Sequence, residues 1–169
     1  MQEANNVWPV GPVRGQSTEI RRATEADAEL LVSWHAEPEV ARYWDGETFT
    51  RDEILERLEE PGVDSWIIEA GGKPVGHLQS WWEPGEGTTR GGLDMFLVPG
   101  ARRKGLGPDA ARALTQALLG AGWAEVTADP YLWNETAVRA WARAGFVPVE
   151  EREPDDEHTA AWVLMRFAD

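Results

Sequence analysis

The feature that most constrains the fold is a stretch in which an apolar run, a basic turn and a helical pattern follow one another directly. Residues 93–98 are mostly apolar, residues 102–107 read Arg-Arg-Lys-Gly-Leu-Gly, and residues 110–119 repeat apolar side chains at helical spacing. Glycine lets the backbone approach a ligand closely, and the first N–H groups of a helix favour an anion. The stretch therefore predicts a strand, a phosphate-holding turn and a helix, although a basic loop shaped only by its glycines explains the same residues.

The composition excludes several classes of protein. The chain has 169 residues, no cysteine and a formal net charge of −14, which results from 30 acidic and 16 basic residues. Its length predicts one domain with its own core, and the absence of cysteine excludes disulfides, a thiolate nucleophile and a cysteine-ligated metal site. The acidic balance argues against a nucleic-acid partner and suits a small cationic one, although solubility explains most surface carboxylates equally well.

Two further observations concern location and domain limits. Residues 1–16 lack the cationic start and the apolar stretch of a secretory signal, and the sequence contains no apolar run of roughly 18 residues that would cross a membrane. We therefore expect a cytoplasmic protein with no membrane partner. Residues 1–16 are expected to form an extended or disordered arm, and residues 17–169 a single domain.

Apolar periodicity and turn residues predict a mixed α/β domain with a central sheet. The predicted strands span residues 19–23, 65–70, 75–82, 92–98, 123–129, 146–150 and 160–167. Helices are predicted after the capping pairs Thr24/Asp27 and Thr50/Glu53, near 38–44 and 110–119, and from Asn134 to Ala144 with Gly145 behind the last one. The resulting order is strand, helices, three strands, helix, strand, helix and two strands.

Three segments in the second half of the chain follow one another in a recognisable order. They are Gly-Leu-Asp-Met-Phe-Leu at 92–97, the basic turn at 102–107, and Asp129-Pro130 followed by the helix that ends in Ala-Gly-Phe at 144–146. Together they resemble the GNAT acetyltransferases, whose signature [QR]-x-x-G-x-[GA] is matched by Arg102, Gly105 and Gly107. The resemblance implies the GNAT fold, an α/β (α+β) domain whose central, mixed, mostly antiparallel and twisted sheet is flanked by helices.

The resemblance also implies acetyl-coenzyme A as the co-substrate and no metal. Backbone N–H groups near Leu97 and Val98 are then expected to hold the pantetheine arm and to polarise the thioester carbonyl. The pyrophosphate is expected on the basic turn, which consists of Arg102, Arg103, Lys104, Gly105, Leu106 and Gly107. Asn134 is expected either to contact the pantetheine arm or to serve only as a helix cap.

Within that family the chain is similar to the aminoglycoside 6′-N-acetyltransferases, which share the motif at 92–97, a Lys-Gly-Leu-Gly turn and a tryptophan-bearing early loop. This similarity implies transfer of an acetyl group to the 6′-amine of aminoglycosides, and hence antibiotic resistance. It implies that the amine attacks the donor directly in a ternary complex. It also implies a protein that is a monomer or a homodimer. It also implies a cleft for the cationic acceptor, formed by Trp44, Asp45, Glu47, Gln79, Trp81, Asp94 and Asp129.

Asp94 is the expected general base, because the nucleophile must be a neutral amine and a nearby carboxylate can take the proton of its ammonium form. A charged residue inside an apolar strand is costly unless it is paired, although simple alternation toward solvent explains Asp94 as well. Asp129 is expected to be a second cation-binding group, or else an ordinary turn aspartate.

One position departs from the family pattern. Many GNAT enzymes carry a tyrosine on the last helix that protonates the departing thiolate, whereas this chain has Trp141, whose indole is a poor acid. His35, His77 and His158 receive no catalytic or metal-binding role from the sequence. Two alternatives stay open: a GNAT acyltransferase acting on a siderophore hydroxylysine or a protein amine, and a non-catalytic module that binds coenzyme A.

Overall fold

The predicted sheet is present, and its described part has eight strands. The computed structural model describes residues 9, 11–84 and 89–168. The strands are β1 (Val13–Arg14), β2 (Glu19–Arg22), β3 (Val63–Ala70), β4 (Lys73–Pro84), β5 (Thr89–Leu97), β6 (Trp123–Ala128), β7 (Phe146–Arg152) and β8 (Trp162–Phe167). They lie in the order β1-β2-β3-β4-β5-β6-β8-β7, and neighbouring strands are antiparallel except for β5 and β6, which are parallel. The expectation of a mixed, mostly antiparallel sheet is confirmed.

Helices cover both faces of this sheet. They are α1 (Ala28–Ala36), α2 (Pro38–Ala41), α3 (Arg51–Leu58), α4 (Leu106–Gly120) and α5 (Glu135–Ala144). Helices α4 and α5 share a core with Trp66 and Ile68 of β3, whereas α1, α2 and α3 pack on the opposite face with Ile67. Successive side chains of a strand point to opposite faces, so one apolar run in β3 supplies both cores. In the part of the chain that is described, no helix has the length and apolar character that a membrane crossing demands.

Local signals set the ends of two helices. Thr50 and Glu53 form the predicted capping box: the Glu53 N–H donates to Thr50 Oγ1 over 3.2 Å, and the Thr50 N–H donates to Glu53 Oε1 over 3.1 Å. Asn134 Oδ1 accepts the N–H of Ala137 over 3.2 Å at the start of α5. Gly145 ends that helix with a φ of +113°, a conformation that favours glycine.

The boundaries that differ most from the prediction are the start of α4 and the two ends of the loop between β4 and β5. Helix α4 begins at Leu106, four residues before the predicted start, because the glycine and proline of its first turn hide the helical pattern. The predicted loop at 83–90 is shorter, since β4 runs to Pro84 and β5 begins at Thr89. Residues 85–88 lie outside the described residues.

The end of the predicted N-terminal arm is attached to the domain. Residues 1–8 and 10 lie outside the described residues, whereas Val13–Arg14 forms β1 and pairs with β2. The N–H groups of Gln16 and Ser17 both donate to the carboxylate of Asp109 on α4 over 2.9 Å. This part of the arm is therefore extended and held against the helix that follows the basic turn.

The parallel pair of strands determines where a site can form. Strands β5 and β6 pair only as far as Gly92 and Thr127; β6 ends one residue later, whereas β5 continues to Leu97. Beyond Gly92 and Thr127 the two strands are no longer paired. The sheet therefore has an opening beside the last residues of β5, which include Asp94. Glycine is required at position 92, because a Cβ there would lie 2.5 Å from the ring of Trp81.

Candidate active site

A cleft of about 470 Å³ lies where β5 and β6 separate. Its walls come from the segment after α2, from β4 and β5, from the end of β6, from α5 and from the turn before β8. All of the acceptor residues predicted from the sequence line it: Trp44, Asp45, Glu47, Gln79, Trp81, Asp94 and Asp129. Glu83 and Glu157 add to this acidic lining, against the cation of Arg57. The balance of charge favours a cationic molecule in the cleft.

Asp94 lies on β5 directly opposite Gln79 of β4 and faces the cleft rather than bulk solvent. Gln79 Nε2 donates to Asp94 Oδ2 over 3.4 Å, and Arg57 Nη2 donates to Gln79 Oε1 over 3.0 Å. Arginine can only donate, so it orients the Gln79 amide with its N–H groups toward the carboxyl. Arg57 was not recognised in the sequence, where it is one of several charges on an amphipathic helix.

Asp129 follows β6 and lies within hydrogen-bonding reach of Asp94. Burial raises the pKa of Asp94 to about 7, and the negative charge of Asp129 and the hydrogen bond between the two carboxyls add to this effect. Arg57 and Gln79 oppose the rise, because both favour the ionised form of Asp94. A carboxyl with this pKa exchanges its proton near neutral pH, as a general base must.

His158 contacts the far side of Asp129. Its Nε2 lies 2.7 Å from Asp129 Oδ2, and its Nδ1 lies 2.8 Å from Asp155 Oδ1. Burial by itself lowers the pKa of His158, but the hydrogen bonds and charges of Asp155 and Asp129 outweigh burial and raise that pKa. Sequence reasoning missed this residue; the visible signal was the spacing of Asp155 and His158, three residues apart in an acidic turn. Among the described residues, no group of three or more His, Asp or Glu is arranged to hold a metal ion.

Aromatic side chains connect two walls of the cleft. Trp133, which is 47% exposed, stacks on Tyr43 and on Tyr131 with centroid distances of 5.8 Å in each case. Tyr131 Oη donates to Asp45 Oδ1 over 2.7 Å. These contacts join the segment after α2 to the segment after β6. Neither Tyr131 nor Trp133 was predicted for the site, because their partners are remote in the sequence.

Three tryptophans shape the rest of the cleft. Trp44 lines it while its ring packs edge-on against Phe96 at 5.6 Å, so it belongs to both the site and the core. Trp81 lies on β4 beside the point where the strands separate. Trp141, at the position of the family's tyrosine, is buried against Phe146 at 5.1 Å and also lines the cleft.

The end of β5 presents a backbone donor to the opening. The N–H of Val98 donates to Val75 O over 3.0 Å, so the expectation that it binds a pantetheine arm is corrected. Hydrogen bonds alternate along an antiparallel pair, and the N–H of Leu97 consequently points away from β4, toward the opening beside β6. Of the two predicted donors, Leu97 is the one in position to bind a ligand.

The basic turn forms a concave backbone surface at the start of α4. Arg103 and Gly105 have φ values of +65° and +74°, a conformation in which successive N–H groups converge. The N–H groups of Leu106 and Gly107, in the first helical turn, have no helical acceptor. Arg103 and Lys104 are exposed beside them. These features fit a phosphate group, and the binding itself stays a prediction.

Arg102 braces this turn, and its charge is already partnered. Its Nε donates to Leu97 O over 3.1 Å, and its Nη2 donates to Glu39 O over 2.8 Å. Its guanidinium also lies 5.4 Å from the centroid of the Tyr43 ring. Asn134 lines the cleft and caps α5, so the capping role is confirmed and a contact with a pantetheine arm stays a prediction.

Comparison with known proteins agrees with this geometry. A protein-family model described as an acetyltransferase (GNAT) domain matches residues 23–154. The structure of AAC(6′)-Ib in complex with ribostamycin and coenzyme A is 26% identical, with a TM-score of 0.77 over 89% of this chain and 93% of that one.

Two less similar structures share the fold. An aminoglycoside N(6′)-acetyltransferase from Legionella pneumophila is 20% identical, with a TM-score of 0.74 over 89% of this chain and 91% of that one. A spermidine N-acetyltransferase from Vibrio cholerae in complex with coenzyme A and spermine is 14% identical, with a TM-score of 0.75 over 89% and 94%. None of the curated proteins compared with the chain matches it in sequence.

Proposed function

The chain belongs to the GNAT acetyltransferase family, and from this premise we propose that it transfers the acetyl group of acetyl-coenzyme A to the 6′-amine of aminoglycosides. The observation that carries the proposal is the pair of carboxyls, Asp94 and Asp129, on the floor of a strongly acidic cleft. The similarity to AAC(6′)-Ib, which binds ribostamycin and coenzyme A, supports the choice of acceptor. Acetylation removes one positive charge from the antibiotic, and we expect resistance from its weaker binding to an anionic target.

The acidic side chains bind the acceptor and adjust its protonation. Asp45, Glu47 and Asp129 attract the ammonium groups of a polycation, and the Trp44 and Trp81 rings provide flat surfaces for sugar rings and cations. Asp94 then takes a proton from the reacting ammonium. Its pKa of about 7 suits this step, because an ordinary aspartate is too weak a base at neutral pH. Loss of this proton to Asp94 makes the bound amine nucleophilic.

Backbone groups at the opening hold and orient the donor. Bound acetyl-coenzyme A supplies the thioester carbonyl that the amine attacks directly in a ternary complex. The N–H of Leu97, which faces the opening, is placed to donate to that carbonyl and to stabilise the charge that develops on its oxygen. The N–H groups of residues 103–107 hold the pyrophosphate, and Arg102 keeps this turn in place through Leu97 O and Glu39 O.

The helix position that carries the family's tyrosine holds no tyrosine in this chain. Trp141 occupies that position, and its indole N–H does not ionise as an acid in water. We infer that water in the cleft protonates the thiolate.

A matched pair of acceptors tests the proposal. Two aminoglycosides that differ only in carrying an amine or a hydroxyl at the 6′ position are compared by release of free coenzyme A. We expect turnover of the amine and at least a hundredfold lower turnover of the hydroxyl compound. Equal turnover of the two would exclude the 6′ position. Turnover of hydroxylysine or of a protein amine alone would favour another GNAT acyltransferase, and calorimetric binding of coenzyme A without any turnover would favour a non-catalytic module.

A further inference from the structure

The ring of His158 is held on three sides, and the proposed binding of donor and acceptor gives it no role. The residue is 8% exposed, and each ring nitrogen lies within 2.8 Å of a different carboxylate, Asp129 at Nε2 and Asp155 at Nδ1. The ring stacks on Trp162 with a centroid distance of 4.0 Å and an angle of 10° between the planes. Trp162 Nε1 in turn donates to Asp155 Oδ2 over 3.1 Å.

The two short contacts favour a protonated ring when both neighbouring carboxyls are ionised. Neutral imidazole has one N–H and one lone pair, so it can donate to only one of two carboxylates. The second contact would then bring a nitrogen lone pair against a carboxylate oxygen. Both contacts are hydrogen bonds when His158 is an imidazolium between Asp129 and Asp155.

We propose that His158 is a positioning residue that, as an imidazolium, keeps Asp129 ionised and thereby leaves the exchangeable proton of the carboxyl pair on Asp94. Two carboxyls in hydrogen-bonding contact resist ionising together, so one of them tends to hold a proton. A cation on Asp129 alone breaks the symmetry, because it stabilises the anion on that side. The proposal rests on the proposed function only in taking Asp94 to be the base.

The other groups near the cluster are consistent with this assignment. On the Asp94 side, Gln79 of β4 donates to Asp94, and Arg57 of α3 donates to Gln79. These two residues therefore connect with Asp94, whereas His158 contacts Asp129 directly. His158 faces Asp129 and Asp155, the ring of Tyr131 at 6.0 Å and the neutral ring of Trp162, and Glu157 lines the same cleft. Within the described residues, His158 is the cationic group hydrogen-bonded to Asp129.

Asp155 is placed to keep His158 charged. Its Oδ1 also accepts the N–H groups of Glu157 and His158 over 2.9 and 2.8 Å, so the carboxylate is held in the turn by the backbone. The side-chain hydrogen bond with His158 is the main cause that lowers the pKa of Asp155, and the two backbone hydrogen bonds add to it. The turn therefore holds the Asp155 carboxylate against Nδ1 of His158, while Nε2 contacts Asp129.

The experiment compares three variants by the NMR titration of ¹³C-labelled aspartate carboxyls in the protein without acceptor. His158→Gln removes the cation and keeps an amide donor. Asp155→Asn removes the anion at Nδ1 that favours the protonated form of His158. The control, Asp156→Asn, removes an exposed carboxylate of the same turn. In the wild type we expect Asp94 to titrate near neutral pH. In His158→Gln we expect the Asp94 midpoint to rise by about one pH unit.

Asp155→Asn should move the Asp94 midpoint in the same direction by a smaller amount, and Asp156→Asn should leave it unchanged. Asp155→Asn should have no further effect in a protein that already carries His158→Gln, since it acts through His158. An unchanged Asp94 midpoint in a folded His158→Gln protein would overturn the proposal. Should that variant not fold, an unmoved midpoint in Asp155→Asn would do so. The titration needs no acceptor, so a failure to acetylate aminoglycosides would refute the proposed function and leave this result standing.

Discussion

Replacing Asp129 with asparagine should flatten the pH dependence of the reaction, because Asp129 helps to hold the pKa of Asp94 near 7. With a pKa of about 7, Asp94 is ionised in roughly one molecule in eleven at pH 6 and in roughly ten in eleven at pH 8. In the wild type, kcat/KM should therefore rise about tenfold across this range through Asp94.

Asp129→Asn removes the neighbouring charge but leaves the burial of Asp94, which is the larger cause of the raised pKa. We expect the Asp94 midpoint to fall by about one pH unit, so that the rise between pH 6 and pH 8 becomes about twofold. The asparagine keeps an oxygen that can accept a hydrogen bond from His158 Nε2, which preserves the local geometry.

The assay follows thiol release at saturating acetyl-coenzyme A with one aminoglycoside acceptor. The ratio of kcat/KM at pH 8 to that at pH 6 is compared between proteins, so a uniform loss of acceptor affinity cancels, and so does the acceptor's own ionisation. Asp156→Asn, an exposed carboxylate, is the matched control and should keep the tenfold rise. A folded Asp129→Asn protein that also keeps the tenfold rise would show that Asp129 does not set the proton affinity of Asp94.

Three further predictions concern single residues. Asp94→Asn should lower kcat by roughly 10²- to 10⁴-fold while calorimetry finds unchanged binding of coenzyme A; near-normal kcat would remove Asp94 as the base. Tyr131→Phe, which loses the bond to Asp45, should raise the acceptor KM severalfold with little change in kcat; an unaltered KM would count against a role for this bridge in binding. Burial, with the charges of His35 and Arg57 adding to it, lowers the pKa of His77 to about 3. The stability from neutral His77 is complete above its unfolded pKa of about 6.5 and is lost as pH falls toward 3. His77→Leu should therefore lose roughly 2 kcal/mol less free energy of unfolding between pH 7 and pH 5 than the wild type does; equal losses in urea titrations would contradict this.

The sheet and the cleft were predictable to different degrees. Alternation and capping signals predicted the succession of strands and helices along the chain and the start of α3, because these depend on neighbours within a few residues. Resemblance brought Asp94 and Asp129 into one site, and the structure explains why they meet: the only parallel pair among the described strands separates just before Asp94 and just before Asp129.

Other parts of the site depend on contacts that no local pattern contains. His158 reaches Asp129 from a turn 29 residues further along the chain, and Arg57 acts on Asp94 through a glutamine on another strand. Arg102 shows the converse: its motif position predicts a charge for the pyrophosphate, whereas its Nε and Nη2 donate to the backbone carbonyls of Leu97 and Glu39. Tertiary partners, rather than residue type, decide what each of these charges does.

The bracing of the basic turn has a consequence for how the two substrates influence each other. Arg102 binds that turn to Glu39 O, and its guanidinium lies near the ring of Tyr43. The ring of Tyr43 stacks on Trp133, and Trp133 stacks on Tyr131, which donates to Asp45. Where coenzyme A orders this turn, we expect the opposite wall to lose less conformational entropy when the acceptor binds. We therefore expect positive heterotropic cooperativity, and thermodynamic linkage requires such coupling to be reciprocal: each substrate tightens the affinity for the other by the same factor.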